Sequence, residues 1–314
     1  MKEKVIVIVG PTAVGKTELS LNLAKDLNGE IISGDSMQVY KELDIGTDKV
    51  TLKEREMVNH HLIDIMEMTE DFTVSDFQSK ARNLIKEING RGKIPIIVGG
   101  SGLYIQSVLY DYQFPAQARD EAITKDLENQ IDTHGIEPLY NKLKEIDPEQ
   151  AKKIHPNNHR RVVRALEIYK TTGLTMSEIQ ARQKVTSLYD VIFIGLEMER
   201  EILYERINHR VDIMIQNGLI AEVSKVLEKA GADSQSMSGI GYKEFIPYFN
   251  GDLSLNECIE NLKRNSRRYA KRQYTWFKNK MDIHWYQMEK DRVDQETKQI
   301  IQDCSGFIND AREC

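Results

Sequence analysis

Cysteine is scarce in this sequence, and its three cysteines, Cys258, Cys304 and Cys314, lie at no metal-ligand spacing from one another. Their number and spacing exclude a disulfide framework and a zinc motif, and they favour a reducing compartment, so we expect a cytoplasmic protein. Long hydrophobic runs are missing as well. The longest near the N-terminus covers residues 5–9, which is too short for a signal-peptide core or a membrane span, so we expect no membrane association.

A general excess of positive charge is also absent, since the 314 residues carry a formal net charge of −6. That balance argues against a protein that is basic over its whole surface. The positive charge is instead concentrated, because residues 263–280 hold eight Lys or Arg side chains and no acidic one. Local charge governs association with a polyanion, so this segment is a candidate surface for binding one.

Short β-branched runs alternate with helical patterns in the first third of the chain. Strands are predicted at 4–9, 30–33 and 93–100, and helices at 17–27, 75–88 and 101–110, with Ser75 as the N-cap of the second helix. Alternation at this spacing predicts an α/β protein, with a parallel sheet core covered by helices.

The alternation stops at residues 112–189, which are polar and have the pattern of helices throughout. A strand pattern returns at 190–198, followed by helices at 199–217, 219–230 and 255–279 and by a last strand at 283–285. We therefore predict an α/β core formed by 1–111 and 190–314, with 112–189 as a helical insertion domain. No heptad pattern or large apolar stripe calls for a second subunit, so a monomer is expected.

The sequence GPTAVGKT is a phosphate-binding loop (P-loop), because it directly follows the first strand and opens the first helix. In such a loop, backbone N–H groups surround phosphate oxygens, and the helix N-terminus adds a favourable dipole. Lys16 supplies a positive charge, and the Thr17 hydroxyl is placed to hold a Mg²⁺ ion that bridges the phosphates. The predicted phosphate site consists of Gly10, Pro11, Thr12, Ala13, Val14, Gly15, Lys16 and Thr17.

An ATP or GTP hydrolase usually carries an acidic residue for the metal at the end of an apolar strand. The third predicted strand ends instead in Gly99 and Gly100, and the one strand end with a well-placed acid is that of the second strand, at Asp35. Because the carboxyl ends of parallel strands meet at one edge of a sheet, Asp35 is expected close to the P-loop. It would serve there as a general base, as a Mg²⁺ ligand or as a loop cap. Gln38 has the paired donor and acceptor that suit the edge of an adenine.

Eight segments form a larger pattern that extends over nearly the whole chain. They are GPTAVGKT (10–17), ISGDSMQVYKELDIGTDK (32–49), HHLIDI (60–65), GGSGLYI (99–105), HPNNHRRVVRALEIYKTTG (155–173), RINHRVDIMIQNGL (206–219), GIGYKE (239–244) and RRYAKRQYTWF (267–277). In this order they resemble the bacterial type of the tRNA dimethylallyltransferases, also called tRNA isopentenyltransferases. Members of that family usually carry Ser at the position of Val14 and Thr at the position of Ser101.

The resemblance implies that a dimethylallyl group moves from dimethylallyl diphosphate to N6 of the adenosine that lies 3′ of the anticodon in tRNA, and that diphosphate leaves. The P-loop would hold the leaving group, together with Mg²⁺. Arg210, which is otherwise an exposed helix arginine, would add positive charge there, and Asp35 would be the base. The resemblance also implies tRNA contacts by Asp35, Ser36, Met37, Gln38, Ser101, Tyr242 and Lys243.

Three arginines cluster at helical spacing in the insertion, at Arg160, Arg161 and Arg164, while Val163 and Leu166 turn toward packing. One interpretation is that these arginines bind phosphates of the tRNA anticodon stem-loop. The other is that they form an ordinary solvated helix face. The basic segment 263–280 would line the RNA path in the same way.

Three other functions compete with tRNA prenylation. A P-loop small-molecule kinase would use the same loop, with the insertion as a lid over ATP. Prenyl transfer to a free adenine nucleotide would also use it, but a mononucleotide needs no long cationic surface. An RNA-binding module with a degenerate nucleotide site is disfavoured, because Lys16, Thr17 and Asp35 are all present.

Overall fold

The computed structural model describes residues 2–112, 120–182, 186–289 and 291–309. The chain divides into two units, one formed by Met1–Leu109 with Ser187–Cys314 and the other by Tyr110–Thr186. The predicted insertion is 112–189, so the second unit begins two residues before the predicted start and ends three residues before the predicted end. Residues 113–119 and 183–185, which belong to that insertion, and Cys314 lie outside the described residues.

Six parallel strands form one sheet in the first unit. They are β1 (Lys4–Val9), β2 (Gly29–Ser33), β3 (His60–His61), β4 (Ile94–Gly99), β5 (Asp190–Glu197) and β6 (His284–Gln287), in the spatial order β3-β2-β4-β1-β5-β6. β1 pairs with β4 on one side and β5 on the other, and its side chains from Val5 to Val9 are fully buried. A central strand buried on both faces needs an unbroken apolar run, as observed. The predicted parallel α/β sheet is confirmed.

Helices surround the sheet and make up the second unit. In chain order they are α1 (Lys16–Asp26), α2 (Leu52–Met57), α3 (Val74–Gly90), α4 (Gly102–Leu109), α5 (Glu121–His134), α6 (Glu137–Ile146), α7 (Pro148–Lys153), α8 (His159–Thr172), α9 (Met176–Arg182), α10 (Arg200–Gln216), α11 (Leu219–Ala230), α12 (Ile246–Phe249), α13 (Leu255–Lys280) and α14 (Val293–Asn309). None of them, within the described ranges, is long and apolar enough to cross a membrane.

Helix α3 begins at Val74, one residue before the predicted range 75–88, and its N-cap is Thr73, two positions before the predicted Ser75. The Thr73 hydroxyl accepts from the N–H of Asp76, and the Asp76 carboxylate accepts from the N–H of Thr73. This reciprocal capping box satisfies two backbone donors, whereas Ser75 alone would satisfy one.

The second unit has its own small core. Helices α5, α6 and α8 pack through leucine and valine side chains that are 4% exposed or less: Leu127, Leu139, Leu143, Val162, Val163 and Leu166. Arg160 and Arg161 lie on the exposed side of α8. The helix is therefore amphipathic, as its spacing predicts, and it presents these two charges to solvent.

The carboxyl ends of β1, β2 and β4 meet at one edge of the sheet, where the segments after them contact one another. The N–H of Gly34 donates to the carbonyl of Val98 at 2.7 Å. A Cβ atom on Gly99 would lie 2.4 Å from the carbonyl oxygen of Gly34, so only glycine allows the two segments to approach this closely. This edge places the residues after three strands around one cavity.

Candidate active site

A cavity of about 770 Å³ opens at this edge of the sheet, within the first unit. Its walls are contributed by the P-loop, by the segments that follow β2 and β4, and by helices α10 and α13. The polar side chains that matter for chemistry are Thr12, Lys16, Thr17, Asp35, Asp48, Arg210, Tyr269 and Gln273. Asp35 and the P-loop therefore share one edge and one cavity, as the sheet topology predicts.

The P-loop turns sharply between β1 and α1, and its backbone requires unusual dihedral angles. Gly10 and Gly15 have φ angles of +148° and +108°, and Ala13 has +67°, which is uncommon for a residue with a side chain. No side chain caps the N-terminus of α1, where Gly15 is the N-cap. The first N–H groups of α1 are therefore left to an anionic ligand, which is how such loops bind phosphate.

The Lys16 ammonium lies inside the loop. It donates to the carbonyl oxygens of Gly10 at 3.0 Å and of Pro11 at 2.7 Å. Burial lowers the pKa of Lys16 to about 7, and the positive charge of Arg210 contributes to that lowering, against the opposite effect of Asp35. A positive charge held here is costly without an anion, so the site favours a ligand that carries negative charge.

Arg210 comes from α10 and reaches the P-loop. Its Nη1 donates to the Thr12 hydroxyl at 2.9 Å, and its Nη2 pairs with the Asp48 carboxylate. Its Nε is buried and has no partner among the described residues. An arginine in this position is not an ordinary exposed helix residue, and its unpaired donor suits an oxygen of a bound phosphate.

Asp35 lines the same cavity as these two positive charges. Its Oδ1 accepts from the N–H of Met37 at 2.8 Å. Burial raises the pKa of Asp35 above the ordinary aspartate value, and this outweighs the lowering by the N–H groups of Met37 and Gln38 and by the charges of Lys16 and Arg210. A carboxylate with a raised pKa is a stronger base, which suits proton abstraction.

The residues beside Asp35 are only partly free to bind a base. Gln38 lines the cavity, but its Oε1 accepts from Ser33 at 2.9 Å and its Nε2 donates to the carbonyl of Thr47 at 3.2 Å. Met37 packs against Gly239, where an added Cβ would lie 2.7 Å from its Cε. Ser36 and Met37 are half-buried. Gln38 would have to exchange its present hydrogen bonds to bind an adenine edge.

Ser101 and Tyr242 have partners within the protein. The Ser101 side chain lies beside the hydroxyl of Tyr269 and lowers the pKa of that tyrosine, against the larger raising effect of burial. Tyr242 is fully buried and donates to Glu222 at 2.6 Å, and Glu222 in turn accepts from the N–H groups of residues 44–46. The predicted contact of Tyr242 with RNA is not compatible with this burial, since the tyrosine instead fixes the loop before Asp48. Its neighbour Lys243 is exposed.

The predicted arginines of the insertion lie in the second unit. Arg160 and Arg161 are exposed near the N-terminus of α8, and Arg164 pairs with the buried Glu167. Arg164 therefore has a structural partner, whereas its two neighbours form no ion pair with any residue that the structure describes. Arg160 and Arg161 are therefore more available than Arg164 to bind phosphate.

Helix α13 carries basic side chains of two kinds. Lys263 pairs with Asp212, Arg267 bonds Asn208, and Lys278 pairs with Glu197. Arg268 and Lys271 are exposed and form no ion pair within the part of the chain that the structure describes. Only the exposed and unpaired basic side chains of residues 263–280 are therefore available to a polyanion, and not all eight of its Lys and Arg residues.

Sequence reasoning missed several cavity residues that come from distant parts of the chain. Tyr269 and Gln273 lie one turn apart on α13, and Asp48 and Arg206 also line the cavity. Burial raises the pKa of Tyr269 to about 12, and the charge of Asp35 contributes to the rise. The i, i+4 spacing of Tyr269 and Gln273 between basic residues was a usable signal, because it marks a second face of the helix.

The cavity suits a Mg²⁺ ion that takes most of its oxygen ligands from a bound diphosphate and from water, and few from the protein. Thr17 is the second residue of α1 and lines the cavity. No group of three or more His, Cys, Asp or Glu side chains with metal-binding geometry occurs among the described residues. Mg²⁺ keeps several waters and binds phosphates with few protein ligands, so a single hydroxyl beside a bound diphosphate is a suitable donor set.

Comparison with known proteins identifies related chains. A family model described as IPP transferase matches residues 38–280. The chain is 54% identical over 310 residues to a tRNA dimethylallyltransferase from Oceanobacillus iheyensis, which covers 99% of both chains. It is 54% identical over 297 residues to one from Bacillus subtilis, covering 95% of this chain and 94% of the relative.

Two solved structures are similar over nearly the whole chain. The full-length tRNA isopentenylpyrophosphate transferase from Bacillus halodurans has a TM-score of 0.76 at 48% identity, with 99% of both chains covered. A eukaryotic dimethylallyltransferase acting on tRNA has a TM-score of 0.85 at 35% identity, covering 98% of this chain and 80% of the other.

Proposed function

This chain belongs to the IPP transferase family, and we propose that it transfers a dimethylallyl group from dimethylallyl diphosphate to tRNA. The acceptor would be N6 of the adenosine that lies 3′ of the anticodon, and diphosphate would be released. We also propose that the enzyme works as a monomer in the cytoplasm, where tRNA is found.

The observation that carries this proposal is one cavity that combines positive charge with a base. Lys16 and Arg210 line it at the P-loop, and Asp35, whose pKa is raised, lines the same cavity. A diphosphate leaving group needs the positive charge, because negative charge develops on its bridging oxygen as the bond breaks. An aromatic amine needs the base, because it becomes a good nucleophile only as its proton is shared.

In the proposed reaction, one bond breaks, one bond forms and one proton moves to the protein. The bond between C1 of the dimethylallyl group and the bridging oxygen breaks, and the electron pair stays with diphosphate. N6 of adenosine forms the new bond to C1, and its proton passes to Asp35. Lys16, the N–H groups at the start of α1 and Arg210 stabilise the diphosphate as it leaves. Mg²⁺ bound beside Thr17 would neutralise further charge on the phosphate oxygens.

The acceptor base must leave the stack of the anticodon loop to enter the cavity. The exposed Arg268 and Lys271 on α13, and Arg160 and Arg161 on α8, would bind phosphates of the anticodon stem-loop. Tyr269 lines the cavity and offers an aromatic face, and aromatic stacking is a common way to hold a base that has been turned out.

The first test of the proposal is a transfer assay with dimethylallyl diphosphate labelled in the prenyl carbon, Mg²⁺ and bulk bacterial tRNA. Parallel reactions contain AMP in place of tRNA, or ATP alone. We expect label in tRNA and release of diphosphate. Label in AMP would contradict the proposal and indicate prenyl transfer to a free nucleotide. Consumption of ATP without prenyl transfer would contradict it and indicate a kinase.

The low pKa of Lys16 predicts how diphosphate binding depends on pH. Below about pH 7 the ammonium is charged, whereas above it the free protein carries a neutral amine that must gain a proton when diphosphate binds. The Kd for inorganic diphosphate should therefore rise by up to about tenfold for each pH unit above this value. Titration calorimetry between pH 6 and pH 9 measures this, and Lys16→Met is the control for the titration of diphosphate itself. An identical pH dependence in the two proteins would contradict the role of Lys16.

Reversing two charges on α8 should weaken tRNA binding. The variant Arg160→Glu with Arg161→Glu should lower the slope of log Kd against log salt by about 0.7 to 0.9 for each phosphate that the variant no longer neutralises. The matched control reverses two exposed lysines of the same unit, Lys125→Glu with Lys142→Glu. If both double variants change the slope equally, the effect is one of overall charge, and Arg160 and Arg161 belong to an ordinary solvated face.

A further inference from the structure

We infer that Gln273 is a positioning residue of the P-loop. In this role it fixes the peptide between Pro11 and Thr12, and through that peptide it fixes the positions of Lys16 and Arg210. The inference rests on the proposed function only in taking diphosphate as the ligand of the loop.

The Gln273 side chain is held between two segments at the edge of the sheet. Gln273 is 5% exposed and projects from α13. Its Oε1 accepts from the N–H of Thr12 at 3.0 Å, and its Nε2 donates to the carbonyl oxygen of Gly100 at 3.2 Å. A Cβ atom on Gly100 would lie 1.9 Å from that Nε2, so glycine is needed there to admit the amide.

The Thr12 N–H belongs to the same peptide as the Pro11 carbonyl, and the two point in opposite directions because the peptide is trans. Gln273 holds the N–H side, and Lys16 donates to the carbonyl side at 2.7 Å. The peptide cannot rotate without breaking both bonds. Gln273 therefore fixes the shorter-distance acceptor of the Lys16 ammonium, which also donates to the carbonyl of Gly10.

The Thr12 side chain extends this arrangement to Arg210. Its hydroxyl accepts from Arg210 Nη1 at 2.9 Å, so a shift of the Thr12 backbone also shifts the partner of the guanidinium. One partner of Lys16 and one partner of Arg210 are thus positioned through a single peptide that Gln273 holds in place. The amide is neutral, so it acts by orientation and not by its own charge.

Removing the amide should loosen the loop without touching the RNA surface. Without Gln273 the part-buried Thr12 N–H loses its partner within the protein, and the peptide gains freedom to turn. The exposed basic residue two positions before it, Lys271, faces solvent and is unchanged. A purely structural role for Gln273 would instead lower the stability of the fold and leave diphosphate affinity intact.

The experiment compares Gln273→Met, which keeps a similar length but has no hydrogen-bonding amide, with the parent protein. We expect the Kd for inorganic diphosphate in the presence of Mg²⁺ to rise by about tenfold, the loss typical of one or two such hydrogen bonds. The kcat for prenyl transfer should fall with it, while the KM for tRNA stays within about twofold, since α13 keeps its basic residues. Thr275→Ala, an exposed position two residues further along α13, is the control and should match the parent.

A second variant keeps the glutamine but displaces it. Gly100→Ala places a methyl group where the Gln273 amide lies, and it should weaken diphosphate binding in the same direction. This variant provides the test if Gln273→Met fails to fold. Unchanged diphosphate Kd and kcat in a folded variant would overturn the inference. If the parent transfers no prenyl group, the proposed function falls, and the diphosphate Kd still tests Gln273.

Discussion

Replacing Asp35 with Asn should lower kcat for prenyl transfer by about 10³-fold, within the range that a positioned general base contributes. The amide keeps the shape of the side chain and an oxygen that accepts from the N–H of Met37, so the segment after β2 stays in place. What it loses is the ability to take the proton from N6. The Kd for tRNA, measured by filter binding, should stay within about twofold, because a single carboxylate adds little to binding that rests on many phosphates.

The pH profile separates this role from a purely structural one. Burial raises the pKa of Asp35, so kcat in the parent should fall as pH drops through that raised value and the carboxylate becomes protonated. The acidic limb should be absent from the residual activity of Asp35→Asn, which has no group to protonate there. Equal losses of tRNA binding and of kcat, or an acidic limb that persists in the variant, would remove Asp35 from the role of base.

Most of the fold was predictable from the sequence because its signals are local. The unbroken run of β1 and the amphipathic spacing of α8 each depend on a few neighbouring residues. The N-cap of α3 was mistaken by two positions because Thr73, Ser75 and Asp76 all offer cap-forming side chains. Only the reciprocal bonds of the capping box distinguish them, and those bonds depend on side-chain geometry.

The site was predictable where its residues follow one another in sequence, as in the P-loop. Gln273 is separated from Thr12 by 261 positions, and no local pattern connects the two. Tyr242 shows the opposite error, since its place in the GIGYKE segment suggested a contact with RNA. The structure uses it to bond Glu222, which holds the loop of residues 44–46. Burial and partner choice are tertiary properties, and they decide which polar residues remain available to a ligand.

Replacing Arg210 with Lys should lower kcat by about 10²-fold, although the positive charge is kept. A guanidinium places three nitrogens in one plane. In Arg210 these nitrogens bond the Thr12 hydroxyl, pair with Asp48 and leave the buried Nε free for an acceptor. An ammonium on a shorter, flexible stem cannot occupy those three positions together. Diphosphate gains charge as the carbon–oxygen bond breaks, so the loss should fall mainly on kcat and less on the KM for dimethylallyl diphosphate.

The matched control is Arg200→Lys at the start of the same helix, where the arginine lies over the ring of Tyr204 and does not line the cavity. Arg210→Ala should lose about 10³-fold, since it removes the charge as well as the planar group. Steady-state and single-turnover kinetics with labelled dimethylallyl diphosphate give the two constants separately. A rise in KM alone would mean that Arg210 binds the diphosphate equally well before and during the reaction, and so contributes affinity and no acceleration. Wild-type kcat in Arg210→Lys would show that charge without orientation is enough, and the buried Nε would then have no part in the chemistry.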